Sequence, residues 1–394
     1  MARDPLVERM RGFGTTIFAE MTALAAATGA INLGQGFPDT DGPDGMLEVA
    51  VAALRSGVNQ YPPGPGMPEL RQAVAAHRAS RYGVQYDADT EVFVTVGATE
   101  AISASILALC EPGDEVIVLE PYYDSYAASI ALAGARRVPV PLRPASPTGR
   151  FGFDPAELRA AVSRRTRLVL VNSPHNPTGT VLTEAELAII AELCIEHDLV
   201  AVTDEVYEHL IYDSARHVPL ATLPEMRDRT VSISSAGKTF SVTGWKIGWV
   251  CAPPPLVLAV GTVKQFTTFT HSGPMQLAVA HALQHEQDWV EANRRSLQDR
   301  RDRLAAGLES TGMAVHRPEG TYFIQADTRP LGIADAGEYA RALPHEAGVA
   351  AIPTGAFCDT PDLGGSLLRF AFCKRDDVLD EAVSRLTEYA ARTR

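Results

Sequence analysis

The sequence predicts an α/β fold: a large domain with a mostly parallel seven-stranded sheet covered by helices, followed by a small α+β domain. Three observations predict it. Between about residue 90 and residue 252, short β-prone runs alternate with helical patterns, the order expected when crossover helices cover a parallel sheet. From Val290 through Leu297 and Leu304 to Leu308, apolar residues recur at helical spacing over a length that suits a connection between two bodies. Beyond that helix, "GTYFIQAD" and "LLRFAFC" read as strands of a second sheet.

Taken in order, residues 1–45 hold an apolar helical stretch and then the Gly/Pro-rich "INLGQGFPDT", a segment expected to pack with the small domain. Residues 46–290 form the expected large domain and 291–394 the C-terminal one. The large domain's strands are "EVFVTV", "DEVIVLE", "RRVPVPL", "RLVLVN", "LVAVTD", "TVSISS" and "KIGWVC". After "VTVGAT" the residues Ile102, Ile106 and Leu109 repeat at helical spacing until "EPGD" turns the chain. This gives a strand, a tight turn and a helix N-terminus, an end that binds anions readily.

Composition narrows the function. With 394 residues, 46% of them hydrophobic, the chain can bury a large core. A formal charge of -13 argues against a surface built for nucleic acid, and the arginines of "RRSLQDRRDR" read as a solvated helix face. The five cysteines are an odd number without C-x-x-C spacing, which fits buried thiols in the cytoplasm. No apolar run is long enough to cross a bilayer, so no membrane is expected. The ten histidines are scattered and no C-x-x-C pair accompanies them, so no metal is expected.

The stretch "SSAGKTF" places Gly-Lys-Thr at the end of a β-prone run. A phosphate-binding loop needs a glycine five positions before that Gly, and Ser232 stands there instead. The other use of Lys238 is an imine with pyridoxal phosphate, which demands a carboxylate for the ring nitrogen, donors to the ring hydroxyl, a stacking group and a phosphate cup. Asp204 ends "LVAVTD", Tyr207 follows three residues on, and Asn176 lies in the turn-rich "NSPHNPTG". Each alone has another use: an Asp there caps a helix, and "NPTG" is a good β-turn.

Together, "GAT", "EPYYDSY", "NSPHNPTG", "TDEVY" and "SSAGKTFSVTGWKIGW", in that order, resemble the class I aminotransferases of fold type I over essentially the whole chain. The resemblance implies pyridoxal 5'-phosphate as cofactor, with Lys238 as Schiff-base lysine and general base and Asp204 on the pyridinium. It implies Asn176 and Tyr207 on the ring oxygen and Tyr123 stacked on the ring. The phosphate is expected on the backbone of Ala98 and Thr99, with Ser235 and Lys246 adding contacts. Tyr61 of "NQYPPG" matches a tyrosine that reaches the neighbouring subunit's phosphate, which implies a homodimer with shared sites. Arg369 matches the fork-shaped cation for an amino acid's α-carboxylate, with Gly36 and Asn176 meeting the same group and Phe18 as an aromatic wall.

Within the family, "GQGFPD", "NQYPPGPG" and "GWKIGW" resemble the branch of kynurenine, glutamine, aspartate and methionine transaminases and of bacterial N-succinyldiaminopimelate aminotransferase. The last implies glutamate and N-succinyl-2-amino-6-oxopimelate as substrates, in lysine biosynthesis. Kynurenine-, glutamine- or methionine-type transamination and β-elimination from cysteine conjugates are the alternatives, because the group at Cβ decides the outcome once Cα is deprotonated.

Overall fold

The structure, a computed structural model, describes residues 5–360 and 362–393. The seven strands expected from the alternating runs form one sheet. From edge to edge its order is Val92–Val96, Ile247–Cys251, Thr230–Ser235, Val200–Asp204, Thr166–Asn172, Glu115–Glu120 and Arg136–Pro141. Every pairing from Thr230–Ser235 to Arg136–Pro141 is parallel, and Ile247–Cys251 runs antiparallel to both its neighbours.

The central strands are apolar at successive positions because both faces are covered. Side chains alternate along a strand, so odd and even positions enter different layers. Ile117, Val169, Val171 and Ala201 pack with Ile190 and Leu193 of the helix Glu184–Glu196. Val116, Val118, Leu168, Leu170 and Val202 pack with Ile102 and Ile106 of the helix Gly97–Leu109. No helix among the described residues is long and apolar enough to cross a membrane.

The long amphipathic helix spans Gln287–Ser310 and leads into a four-stranded antiparallel sheet of Ala314–His316, Phe323–Asp327, Leu367–Ala371 and Ile352–Pro353. The N-terminal segment joins this body: Ile31–Asn32 pairs in parallel with Val349–Ala350, and Met21 and Leu33 are buried with Ile324, Leu368 and Phe370. One helix-face expectation is corrected. Arg301 is not solvated but 4% exposed, and its guanidinium holds Asp213 and the Pro318 carbonyl where the helix crosses the chain.

The fold also gathers histidines that the sequence scatters. His77, His209 and His217 lie buried together with Arg78, Glu205 and Glu208. Arg78 donates to Glu205 at 2.8 Å and to Glu208 at 3.2 Å, and Ser234 donates to Glu208 at 2.6 Å. His77, Glu208 and His209 offer ligand atoms within 4.8 Å of one another, but the guanidinium already stands between the two carboxylates as their cation.

Candidate active site

Parallel strands end together at one edge of a sheet, and ligands collect outside those ends. Asn172 and Asp204 are register partners at the last positions of adjacent strands. The Asn172 amide donates to the Asp204 carbonyl at 2.9 Å, and its oxygen accepts from the Asn176 N–H at 2.8 Å. One side chain thus ties the turn after one strand to the end of the next.

A cavity of about 330 Å³ opens there. Lys238, Asp204, Tyr207, Asn176 and Tyr123 line it, as do Ala98, Thr99, Ser235 and Lys246, together with Gly36, Arg369 and Phe18. Tyr61 does not. It is 83% exposed, edge-on to Phe269 at 5.6 Å, in a separate surface concavity.

Asp204 is buried, and burial pushes its pKa up to about 6 against the hydrogen bonds that favour the anion. The Tyr126 hydroxyl donates to its Oδ2 at 2.6 Å and the Val206 N–H to its Oδ1 at 3.3 Å. Lys238 stands on the single helical turn Ala236–Thr239 after the strand Thr230–Ser235. Burial pulls its pKa down to about 8; the Cys373 thiol and Asp204 oppose that shift, while Arg369 and Lys246 add to it. Its Nζ donates to the Tyr322 hydroxyl at 2.7 Å. A desolvated amine of this kind is about half neutral near pH 8 and suited to imine and proton-transfer chemistry.

The helix Gly97–Leu109 points its N-terminus into the cavity, and no side chain caps it. The first N–H groups of a helix have no partner within it, so this end presents donors and a partial positive charge. Lys246 adds a full charge beside it, from a backbone held in the left-handed region at φ 56°. The close fit depends on glycine: a Cβ on Gly248 would stand 2.6 Å from the Gly97 carbonyl carbon and 2.8 Å from the Ala98 nitrogen. These groups fit a phosphate.

Arg369 projects from the strand Leu367–Ala371. It donates to Asn176 Oδ1 at 2.9 Å and to the Gly34 carbonyl at 2.8 Å, and its Nε has no protein partner. Rings of Phe323, Phe18 and Phe357 surround the guanidinium at 3.9, 5.1 and 5.3 Å. Burial lowers its pKa to about 10, which leaves it cationic at neutral pH. A buried cation with an unused donor fits a carboxylate.

The sequence reading missed Tyr126, Asn172 and Tyr322. Tyr126 was within reach, since it closes "EPYYDSY" one helical turn after Tyr123, and the two rings pack edge-on at 5.7 Å. Asn172 opens "NSPHNPTG", where its strand-end position was the available signal. Tyr322 carried no local signal: its approach to Lys238 is set by the packing of the small body.

The model of the family described as aminotransferase class I and II matches residues 28–386. The chain is 56% identical to the Mycobacterium tuberculosis protein named probable N-succinyldiaminopimelate aminotransferase DapC, over 98% of this chain and 99% of that one. It is 40% identical to the methionine aminotransferase of Escherichia coli, over 98% of this chain and 100% of the relative. A solved structure of N-succinyldiaminopimelate aminotransferase from Mycobacterium tuberculosis superposes with a TM-score of 0.95 at 56% identity, covering 98% of this chain and 100% of that one. On its sequence and its fold, the chain belongs to the class I and II aminotransferases.

Proposed function

We propose that this aminotransferase uses pyridoxal 5'-phosphate to exchange the amino group of glutamate with N-succinyl-2-amino-6-oxopimelate, a step of lysine biosynthesis. The observation that carries the substrate reading is the 56% identity, over nearly the full length, to the mycobacterial DapC protein. The cofactor reading rests on one cavity that holds a buried amine, a buried carboxylate and an uncapped helix N-terminus beside Lys246.

Bound there, pyridoxal phosphate would supply a protonated, electron-withdrawing ring that acidifies the Cα–H of an attached amino acid. Asp204 would hold the ring nitrogen's proton, with Tyr126 and the Val206 N–H keeping the carboxylate in place. Ala98 and Thr99 N–H groups, Ser235 and Lys246 would hold the phosphate; Tyr123 would cover the ring, and Asn176 and Tyr207 would meet its hydroxyl. Arg369 would clamp the α-carboxylate with Gly36 beside it, and Lys238 would take the proton from Cα and return it elsewhere.

The exposure of Tyr61 supports a homodimer in which that side chain serves the neighbouring site. We read residues 46–290 as the cofactor-binding domain, 291–394 as the small domain with residues 1–45 packed on it, and the cytoplasm as the location.

One observation favours a second reading, an apolar or aromatic donor such as methionine or kynurenine. Phe18, Phe37 and Phe323 line the cavity, and beyond Lys238, Lys246 and Arg369 no further cation does among the described residues. The test is the visible band of the cofactor-loaded protein mixed separately with glutamate, N-succinyldiaminopimelate, methionine and kynurenine. Fast loss of the band with the first two supports the lysine-pathway reading. Loss mainly with methionine or kynurenine replaces it with the second.

A further inference from the structure

We propose that Tyr322 is a positioning residue for Lys238, a hydroxyl that tethers the lysine amine to the N-terminal segment at Gly36. The proposal rests on the role given to Lys238 above and extends it to a residue outside the cavity lining. The Lys238 Nζ donates to the Tyr322 oxygen at 2.7 Å, and the Tyr322 hydroxyl donates to the Gly36 carbonyl. A carbonyl has no proton to give, so the single O–H of Tyr322 is committed to Gly36 and its oxygen is left to accept from the amine. The direction of the relay is therefore fixed. Burial pushes the Tyr322 pKa well above 10, so the hydroxyl stays protonated across the working range.

The geometry is held on each side. Tyr322 is fully buried, with Tyr207 edge-on at 5.3 Å and Phe323 at 4.9 Å, so its ring cannot swing without displacing both. A Cβ on Gly36 would collide with the Phe323 ring and stand 2.9 Å from Tyr322 Cε2, so this approach of the segment requires glycine. Gly34 in turn accepts from Arg369, which places the segment's carbonyls on both the amine and the guanidinium. The tether keeps the free amine on the Gly36 side of the cavity and links its position to the seating of residues 34–36.

Tyr322→Phe keeps the ring and deletes only the hydroxyl. In cofactor-free protein, acetylation of Lys238 is followed against pH by mass spectrometry. Wild type is expected to give a midpoint near the lowered value of about 8. Removing an acceptor from the ammonium should move that midpoint down by roughly 0.5–1 pH unit, since a lost hydrogen bond to the charged form favours the neutral amine. The other groups that face the amine, Cys373, Asp204, Arg369 and Lys246, are the same in both proteins.

In the loaded enzyme kcat should fall about tenfold or more with KM within about threefold, and the isotope effect with Cα-deuterated glutamate should rise. An unmoved midpoint with unchanged kcat overturns the proposal. If Tyr322→Phe does not fold, fluorinated tyrosine at position 322, a weaker acceptor, must shift the midpoint in the same direction or the tether is wrong. If pyridoxal phosphate fails to protect Lys238 of wild type from acetylation, the role of Lys238 itself fails, whatever the variant does.

Discussion

Arg369 is held by shape as much as by charge. Its planar guanidinium stands 3.9 Å from the Phe323 ring centroid and shares donors between Asn176 and Gly34. A lysine at that position carries the charge without the plane or the fork. Arg369→Lys should raise KM for glutamate by about one to two orders of magnitude while the protein still binds pyridoxal phosphate, measured by steady-state kinetics and by cofactor absorbance. Asp204 has the opposite tension between stability and function. Its folded pKa of about 6 lies above the ordinary value of about 3.9, so the group's contribution to stability is complete below the unfolded pKa and is lost as pH rises through about 6. Cofactor-free Asp204→Asn should therefore melt above wild type at pH 7.5, by an amount on the order of 2 kcal/mol, with the gap closing near pH 4.5. Transamination should nevertheless be lost. Equal melting at both pH values would show that the carboxylate is not under strain. At this scale the sequence pointed to Lys238 and Asp204 through their motifs and to Arg369 through its place in the family pattern, and the three line one cavity. It hid Tyr322, whose meaning comes from a neighbour 84 positions away along the chain.

Elements place these residues through two simple periodicities. The strands were legible because continuous apolar runs bounded by turns signal a sheet buried on both sides. The antiparallel course of Ile247–Cys251 was not, since nothing in "KIGWVC" encodes direction. What that strand contributes is clearance. Gly248 lets the start of the helix Gly97–Leu109 lie against it, so the helix's first N–H groups and Lys246 meet at the cavity. Gly248→Ala should cost about 1–3 kcal/mol in chemical denaturation, because backbone atoms must retreat, and should weaken pyridoxal phosphate binding at least about tenfold. Gly244→Ala is the control: a Cβ there meets nothing within 4 Å. Similar losses in the two variants would mean that the fit at Gly248 is not what the helix end needs.

For the whole molecule, the two-body expectation came from one long helix and two short β patterns. The buried polar cluster came from nowhere in the sequence, because His77 and Arg78 are remote from Glu205, Glu208, His209 and His217 until the chain folds. Burial would raise the acids' pKa values, but Arg78 with His217 lowers Glu205, and His209 and Arg78 with His77 and His217 lower Glu208. Depressed carboxyl pKa values give stability that is present above the unfolded range and lost as pH falls through the folded one. Arg78→Met leaves two buried carboxylates without their cation and should destabilise by about 3–5 kcal/mol at pH 7.5, and by less near pH 4, where protons can replace the guanidinium. Denaturant melts at the two pH values measure this; a pH-independent loss would point to packing instead.

The pairing of Ile31–Asn32 with Val349–Ala350 has a consequence for how the protein is made. A chain emerging from the ribosome at about 5–20 residues per second must hold its first strand unpaired until almost the last one has been synthesised. Gly36, which follows that first strand, and Arg369, which comes later still, close one wall of the cavity. A nascent chain stalled before residue 349 would possess Lys238 and the helix N-terminus, yet lack the wall that carries Arg369. A stretch running from Ile31 to Arg369 is thus needed before that wall exists, and a protein lacking either end of that stretch should retain much of its large sheet while losing substrate recognition.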